Sequence, residues 1–263
     1  MGGGMSARAL AQKGKQILVL ERGYRLPREK QNWEPKEVFL NSRYKNAGKW
    51  RDSEGRTFAP GVHYYVGGNT KVYGASLLRF REKDFQEYQA AEGVSPAWPF
   101  SYSDLEKYYL EAEIALKVHG NLGEDPTEPW RSGDYMYPAL PHEEYVGRIA
   151  EKMKKIGLHP SHMAMGVDIR DGGLCIRCKT CDGFPCKMGA KSDAETCGID
   201  YAISTGNAKL IEGIEVTRLN HDEAGKRITS ISAVKDGEIY EITANNFILS
   251  AGAANSAALL LKS

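Results

Sequence analysis

Two sets of residues in this 263-residue chain have types and spacing suited to chemistry. The first is Gly2, Gly3 and Gly4, then a helical stretch, a stop at Gly14, an apolar run from Ile17 to Leu20, and an acid, Glu21. Glycines let backbone N–H groups approach a pyrophosphate, which then sits at the N-terminus of the following helix, where the helix dipole favours negative charge. An acid closing the next strand takes the ribose hydroxyls. The order predicts a dinucleotide site; the plainer alternative is a glycine-rich loop before an ordinary helix. A strand should precede such glycines, and only Met1 does. The second set is Cys175, Cys178, Cys181 and Cys186, spaced C-x2-C-x2-C-x4-C. Thiolates at such intervals hold iron–sulfur clusters. The run is tight for a closed zinc site, which uses two separated pairs. Asp182, Gly183 and Pro185 shape a turn that would set Cys186 against a neighbouring thiol. Our reading is structural or disulfide-forming thiols, and no metal ligand is assigned.

A third stretch, "VGGNTKVYGA", repeats the glycine theme. Gly67 and Gly68 would bring the backbone close to a cofactor, with Asn69 and Thr70 as polar groups; the alternative is a plain turn before a helix. Lys191 and Asp193 in "GAKSDA" would anchor the cysteine loop, or else form a surface salt bridge.

The elements that must position these residues follow from pattern. Ser6 to Lys13 reads as a short helix with Ala7, Leu10 and Ala11 on one face, and Ile17 to Leu20 as a buried parallel strand. Residues 24–62 show no sustained periodicity and are expected to cross a surface or a cofactor. Ser103 with Glu106 suggests a capping box opening a helix in "WPFSYSDLEKYYLEAEIALKV". "PHEEYVGRIAEKMKKIGL" is an amphipathic helix ended by Gly157. Residues 207–245 read as a β-meander with turns at Glu223-Ala224-Gly225 and Asp236-Gly237. A returning buried strand, Asn246 to Ser250, and a last helix follow.

Bulk numbers narrow the function classes. Hydrophobic residues are 41% and charged residues 26%, ordinary for a globular protein, and a net charge of +1 draws neither nucleic acid nor an acidic partner. No apolar run reaches the ~18 residues of a membrane helix. Five cysteines, an odd number, and the absence of a visible signal peptide point to a cytoplasmic setting.

Taken together, "MGGGMSARAL…ILVLERG", "VGGNTKVYGA", "WPFSYSDLEKYYLEAE" and "FILSAGAANSAALLLKS" resemble the glucose–methanol–choline (GMC) family of FAD-dependent oxidoreductases, in order and over nearly the whole chain. The resemblance implies an α/β fold. A partial Rossmann-like FAD-binding core would be built from 1–23 and 204–263. Residues 24–203 would form a long flavin-covering and substrate-side insertion that carries the Cys-rich loop. It implies cofactor contacts from Gly2, Gly3, Gly4, Glu21, Gly67, Gly68, Asn69 and Thr70, from the backbone of Val216 at the adenine, and from Ala251 and Gly252 over the nucleotide. Asn69 stands where the family usually has a small residue, and Tyr73 where it often has Asn. The loop holds no histidine, so a covalent flavin link is not expected. The implied activity is oxidation of an alcohol, sugar or polyol to a carbonyl. The electron acceptor is unassigned, and no catalytic residue is expected among His63, His119, His142, His159, His162 and His221. The family's first strand, two further glycines and catalytic histidine have no counterpart here, so we read the chain as a piece of a longer one. The rival readings are a non-catalytic FAD-binding module and an iron–sulfur flavoprotein subunit passing electrons to a cytochrome.

Overall fold

The structure, a computed structural model, describes residues 1–46 and 48–263. Its longer elements run α1 (Gly2–Gln12), β1 (Ile17–Glu21), α2 (Tyr102–Ala115), α3 (Glu144–Lys155), α4 (Asp200–Ser204), β2 (Ala208–Glu212), β3 (Glu215–His221), β4 (Ile228–Lys235), β5 (Glu238–Thr243) and α5 (Ala253–Lys262). They fall into two units. The first holds 1–73, 180–187 and 193–263; the second holds 74–179 and 188–192. The stretches 1–23 and 204–263 both lie in the first unit, with 24–73 beside them in the chain.

In the first unit, β1 and β2 pair in parallel, Ile17 against Ala208 through Glu21 against Glu212. Residues 208–212 therefore leave the meander to which their pattern assigns them, because so short a strand, Ala-Lys-Leu-Ile-Glu, fits a parallel or an antiparallel partner alike. Ile17 and Val19 of β1 pack with Ala7, Ala11, Val66, Ile199 and Ala202; on the other face Leu18 is 45% exposed and Leu20 meets the cluster of Leu219, Ile231 and Leu259. The meander proper is antiparallel, in the order β5-β4-β3. Asp236 and Gly237 both take positive φ in its second turn, as a two-residue hairpin requires. Residues 246–250 are not the buried strand expected of them: they pair with no strand among the described residues. Phe247 and Leu249 pack toward Leu219, Ile231 and Leu259, and Ile248 is 59% exposed. Alternation alone buries one side of such a segment; without a neighbouring ladder its backbone stays unpaired.

α1 begins earlier than its apolar pattern suggests, because the three glycines form its first turn. A π-helical segment, Ala194–Ile199, lies against that turn. A Cβ on Gly4 would stand 2.6 Å from the Ala194 carbonyl oxygen, and one on Gly198 would stand 2.6 Å from the Gly4 carbonyl carbon. Backbone meets backbone here, and neither position has room for a side chain.

The second unit is organised by α2. Its capping box is Ser101 with Asp104, two residues before the expected pair: the Ser101 N–H donates to Asp104 Oδ2 at 2.8 Å. Tyr102, Glu106, Tyr109 and Glu113 recur at helical spacing on one face. Glu113 takes both Arg79 Nε and Nη2 at 2.8 Å and also Arg131 Nη2 at 2.5 Å. Glu106 takes Arg79 Nη1 at 3.0 Å and the Ser132 N–H at 2.9 Å. All four charged side chains are buried, each satisfied by fork geometry or several donors, as buried charge requires. The "Y-x-x-x-E-x-x-Y-x-x-x-E" spacing of this helix is thus an arginine cage. Phe85 anchors an aromatic group with Phe80, Trp98, Phe100 and Tyr102. No helix among the described residues is long and apolar enough to cross a membrane.

Candidate cofactor site

The site lies in the first unit, at one end of the parallel pair. α1 has 11 residues and β1 five, so at about 1.5 and 3.3 Å per residue both run about 16 Å. A four-residue turn joins them. Gly2 therefore returns to the end of the pair where Glu21 closes β1. Met1 is the N-cap and offers no side-chain cap, and the first turn carries no acid. The N–H groups of Gly2, Gly3 and Gly4 have no carbonyl four residues back to receive them. Burial pushes the Met1 amine pKa down, opposed by Asp193.

Ser250 meets this helix start. A Cβ on Gly3 would lie 3.1 Å from Ser250 Cβ, and one on Gly2 would lie 3.8 Å from Ser250 Oγ. Gly252, with φ 84°, is the N-cap of α5, so a second helix N-terminus opens directly after Ser250 and Ala251. Glu21 Oε1 accepts the Gly23 N–H at 2.8 Å. Burial pushes the Glu21 pKa up, countered by the Gly23 and Arg22 N–H groups, with Glu212 across the ladder adding to the rise. Val216 lies in β3 opposite Ala233 and packs in the cluster that includes Leu20, the residue before Glu21.

Gly67 takes φ 97° and starts a 3₁₀ turn, Gly68–Lys71. Asn69 and Thr70 spend their polar atoms on the turn itself. Asn69 Oδ1 accepts the His63 N–H, and its Nδ2 donates to the Gly61 carbonyl, each at 2.8 Å. Thr70 Oγ1 donates to the Gly67 carbonyl at 2.6 Å and accepts the Ala194 N–H at 3.0 Å. The Gly68 and Thr70 N–H groups are likewise bonded, to the Tyr65 and Gly67 carbonyls at 2.7 and 3.3 Å.

Residues 153–263 match the family profile described as GMC oxidoreductase. Paromamine 6′-oxidase of Streptomyces fradiae is 29% identical over 269 residues, covering 99% of this chain and 47% of the relative. The fructose dehydrogenase large subunit of Gluconobacter japonicus is 26% identical, covering 98% and 52%. The crystal structure of pyridoxine 4-oxidase from Mesorbium loti superposes with TM-score 0.59 at 18% identity, over 98% of this chain and 48% of that one, a likeness of fold. Over residues 153–263 the chain is similar to the GMC oxidoreductases, and over nearly its whole length to these relatives. It spans about half the length of the curated relatives it matches.

GMC oxidoreductases are FAD-dependent, so FAD is the group against which these residues are tested. They fit it at the Gly2–Gly3 turn, which meets Ser250 so closely that a Cβ on Gly3 would stand 3.1 Å from Ser250 Cβ, a cradle that side chains would fill. At Gly67 the space left by the missing side chain is taken by the Lys71 stem. Gly4 serves the packing of α1 on 194–199 instead, the role of a glycine that permits close approach between elements.

A charged network beneath the 67–71 turn escaped the sequence reading. Lys71 Nζ bonds Asp193 Oδ2 at 2.8 Å and also Glu195. Glu195 bonds Arg25, whose guanidinium also meets Asp200 at 2.7 Å. Burial lowers the Lys71 pKa, but Asp193 and Glu195 outweigh it and the net shift is upward. Asp193 bonds Lys71 and is the N-cap of 194–199, where it accepts the Thr196 N–H at 2.8 Å, so it ties that segment to the 67–71 turn. Lys191 lies in the second unit, bridged through its backbone to Val167 and 1% exposed, which rules out a surface salt bridge. Lys71 itself was the one charge in "VGGNTKVYGA", the signal that was there to find.

The cysteines divide between the units: Cys175 and Cys178 lie in the second, Cys181 and Cys186 in the first. Among the described residues no disulfide joins any of them, and no three His, Cys, Asp or Glu side chains are grouped to hold a metal ion. Cys175 Sγ accepts the Arg177 N–H at 3.4 Å. The "DGFP" turn docks by the Gly183 N–H on the Val72 carbonyl at 2.8 Å and by Phe184 edge-on to Phe39.

Proposed function

We propose that this chain holds FAD in an oxidoreductase that converts a CH–OH group of a small alcohol, sugar or polyol to a carbonyl. The observation that carries the reading is the meeting of Gly2 and Gly3 with Ser250, two residues before the Gly252 N-cap of α5, at the end of the sheet where Glu21 stands. Two helix N-termini open there, and their N–H groups suit a pyrophosphate. Glu21 accepts from the ribose hydroxyls. The backbones of Gly67–Thr70 and of Ala251–Gly252 border the nucleotide, with Val216 at the adenine. The relatives' names, paromamine 6′-oxidase and fructose dehydrogenase, support a hydroxylated donor. Bound flavin supplies the hydride acceptor, while the protein supplies binding, orientation and electrostatics.

We assign no catalytic base within the chain. The Nδ1 atoms of His63, His119 and His221 rest on the carbonyls of Tyr44, Pro138 and Asp222, that of His162 on Glu124, and His142 stacks on His162 at 3.8 Å.

Incubation of the purified chain with FAD tests the reading. We expect uptake of flavin that acid precipitation releases to the supernatant, the linkage being noncovalent. A chain that takes up no flavin overturns the proposal. Glu21→Ala removes a charge-assisted acceptor, roughly 1.5–3 kcal/mol of retention by equilibrium dialysis. Because the Glu21 pKa is raised, wild-type affinity should already fall with decreasing pH above the ordinary carboxylate range, and the variant should lose that slope.

A further inference from the structure

Lys71 is 6% exposed, and its two carboxylate partners, Asp193 and Glu195, are 2% and 4% exposed. A buried ammonium is retained at a cost in desolvation, so its partners must be well placed. They are: Asp193 caps the 194–199 segment and Glu195 follows two residues on, so one cation gathers both carboxylates of that segment's start. The stem is placed as closely as the head. Gly67, left-handed and without a side chain, leaves the space across which the Lys71 stem lies. The Ala194 N–H then closes on Thr70 Oγ1. Lys71 Nζ with Asp193 and Glu195, and Thr70 Oγ1 with the Ala194 N–H, thus tie the 67–71 turn to residues 193–195. Arg25 also bonds Glu195 but reaches neither Asp193 nor the turn.

We propose that Lys71 is a positioning residue, a clasp that holds the Gly67–Lys71 turn formed before any cofactor arrives. The inference rests on the FAD reading for its consequence, though the clasp exists in the cofactor-free chain. Where only a fraction of molecules is competent, the apparent Kd rises by the inverse of that fraction. Loss of the ammonium also removes the cation that joins Asp193 and Glu195 to the turn, which opens it.

The test uses the full 263-residue chain with Lys71→Met, which keeps the stem and removes the charge, and Lys71→Arg, which keeps the charge. Without FAD, hydrogen exchange at the Gly68, Thr70, Val72 and Ala194 amides, all bonded within this clasp and turn, should accelerate in Lys71→Met by about tenfold. If the turn falls to about a tenth occupancy, FAD affinity should weaken by about tenfold in step, and Lys71→Arg should recover most of both. Unchanged exchange overturns the clasp. Faster exchange with unchanged FAD affinity overturns the positioning role. Should Lys71→Met unfold the unit, Glu195→Gln, which leaves Asp193 facing Lys71, is read in the same way. A wild-type chain that takes up no FAD sinks the functional reading, and the exchange data alone then decide the clasp.

Discussion

His119 shows what a single buried side chain commits to. Its Nδ1 rests on the Pro138 carbonyl at 2.9 Å and must therefore carry the proton, while Nε2 is buried with no hydrogen-bond partner among the described residues. Tyr137 stacks on the ring at 4.9 Å. Burial pushes the imidazole pKa down; the Pro138 carbonyl and Asp168 resist, and Arg170 adds to the fall. A histidine with a depressed folded pKa stays neutral while the unfolded chain takes up a proton near pH 6.5, so stability falls as pH drops through and below that value. Urea unfolding between about pH 7.5 and 5.5 should show this slope, and His119→Phe should flatten it. Nothing in the sequence marks this residue, because the carbonyl and ring that surround it come from 18 and 19 positions away. Lys71 is a stronger case. The spacing of glycines around it was legible, but its partners lie 122 and 124 residues on.

At the scale of elements, caps and periods were read well wherever the signal was local. α3, the two hairpin turns of the meander and α5 all stand where apolar spacing and Gly or Asp placed them. The reading slipped where one pattern admits two partners: residues 208–212 pair with β1, and the box before α2 uses Ser101 instead of Ser103 because an Asp three residues on serves as well as a Glu. The crossing of α1 over 194–199 was illegible, since a glycine reads alike in a turn or at a helix contact. Gly198→Ala drives a methyl into the Gly4 backbone and should cost about 1–3 kcal/mol or more in urea unfolding. Gly2→Ala, with only Ser250 Oγ at 3.8 Å, should change stability far less. The reverse ranking would mean that the two elements do not meet as described.

For the molecule as a whole, the two-stranded parallel pair has open edges. Among the described residues β1 pairs only with β2, and the extended 246–250 segment pairs with nothing while exposing Ile248. A net charge of +1 gives little repulsion between copies. Unpaired edges of this kind template association. Light scattering of the purified chain should therefore rise with concentration, and Ile248→Lys should lower it; an unaltered concentration dependence in the variant would place the sticky surface elsewhere. The same parallel pair sets a clock on biosynthesis. Its neighbouring positions Gln16 and Asn207 are 191 residues apart. At about 5–20 residues per second, the ribosome needs roughly 10–40 s after making β1 before the partner strand exists. For that interval Ala7, Ala11, Ile17 and Val19 have no Ile199, Ala202 or Ala208 to cover them, so the nascent chain carries its first apolar surface open until the second half is made.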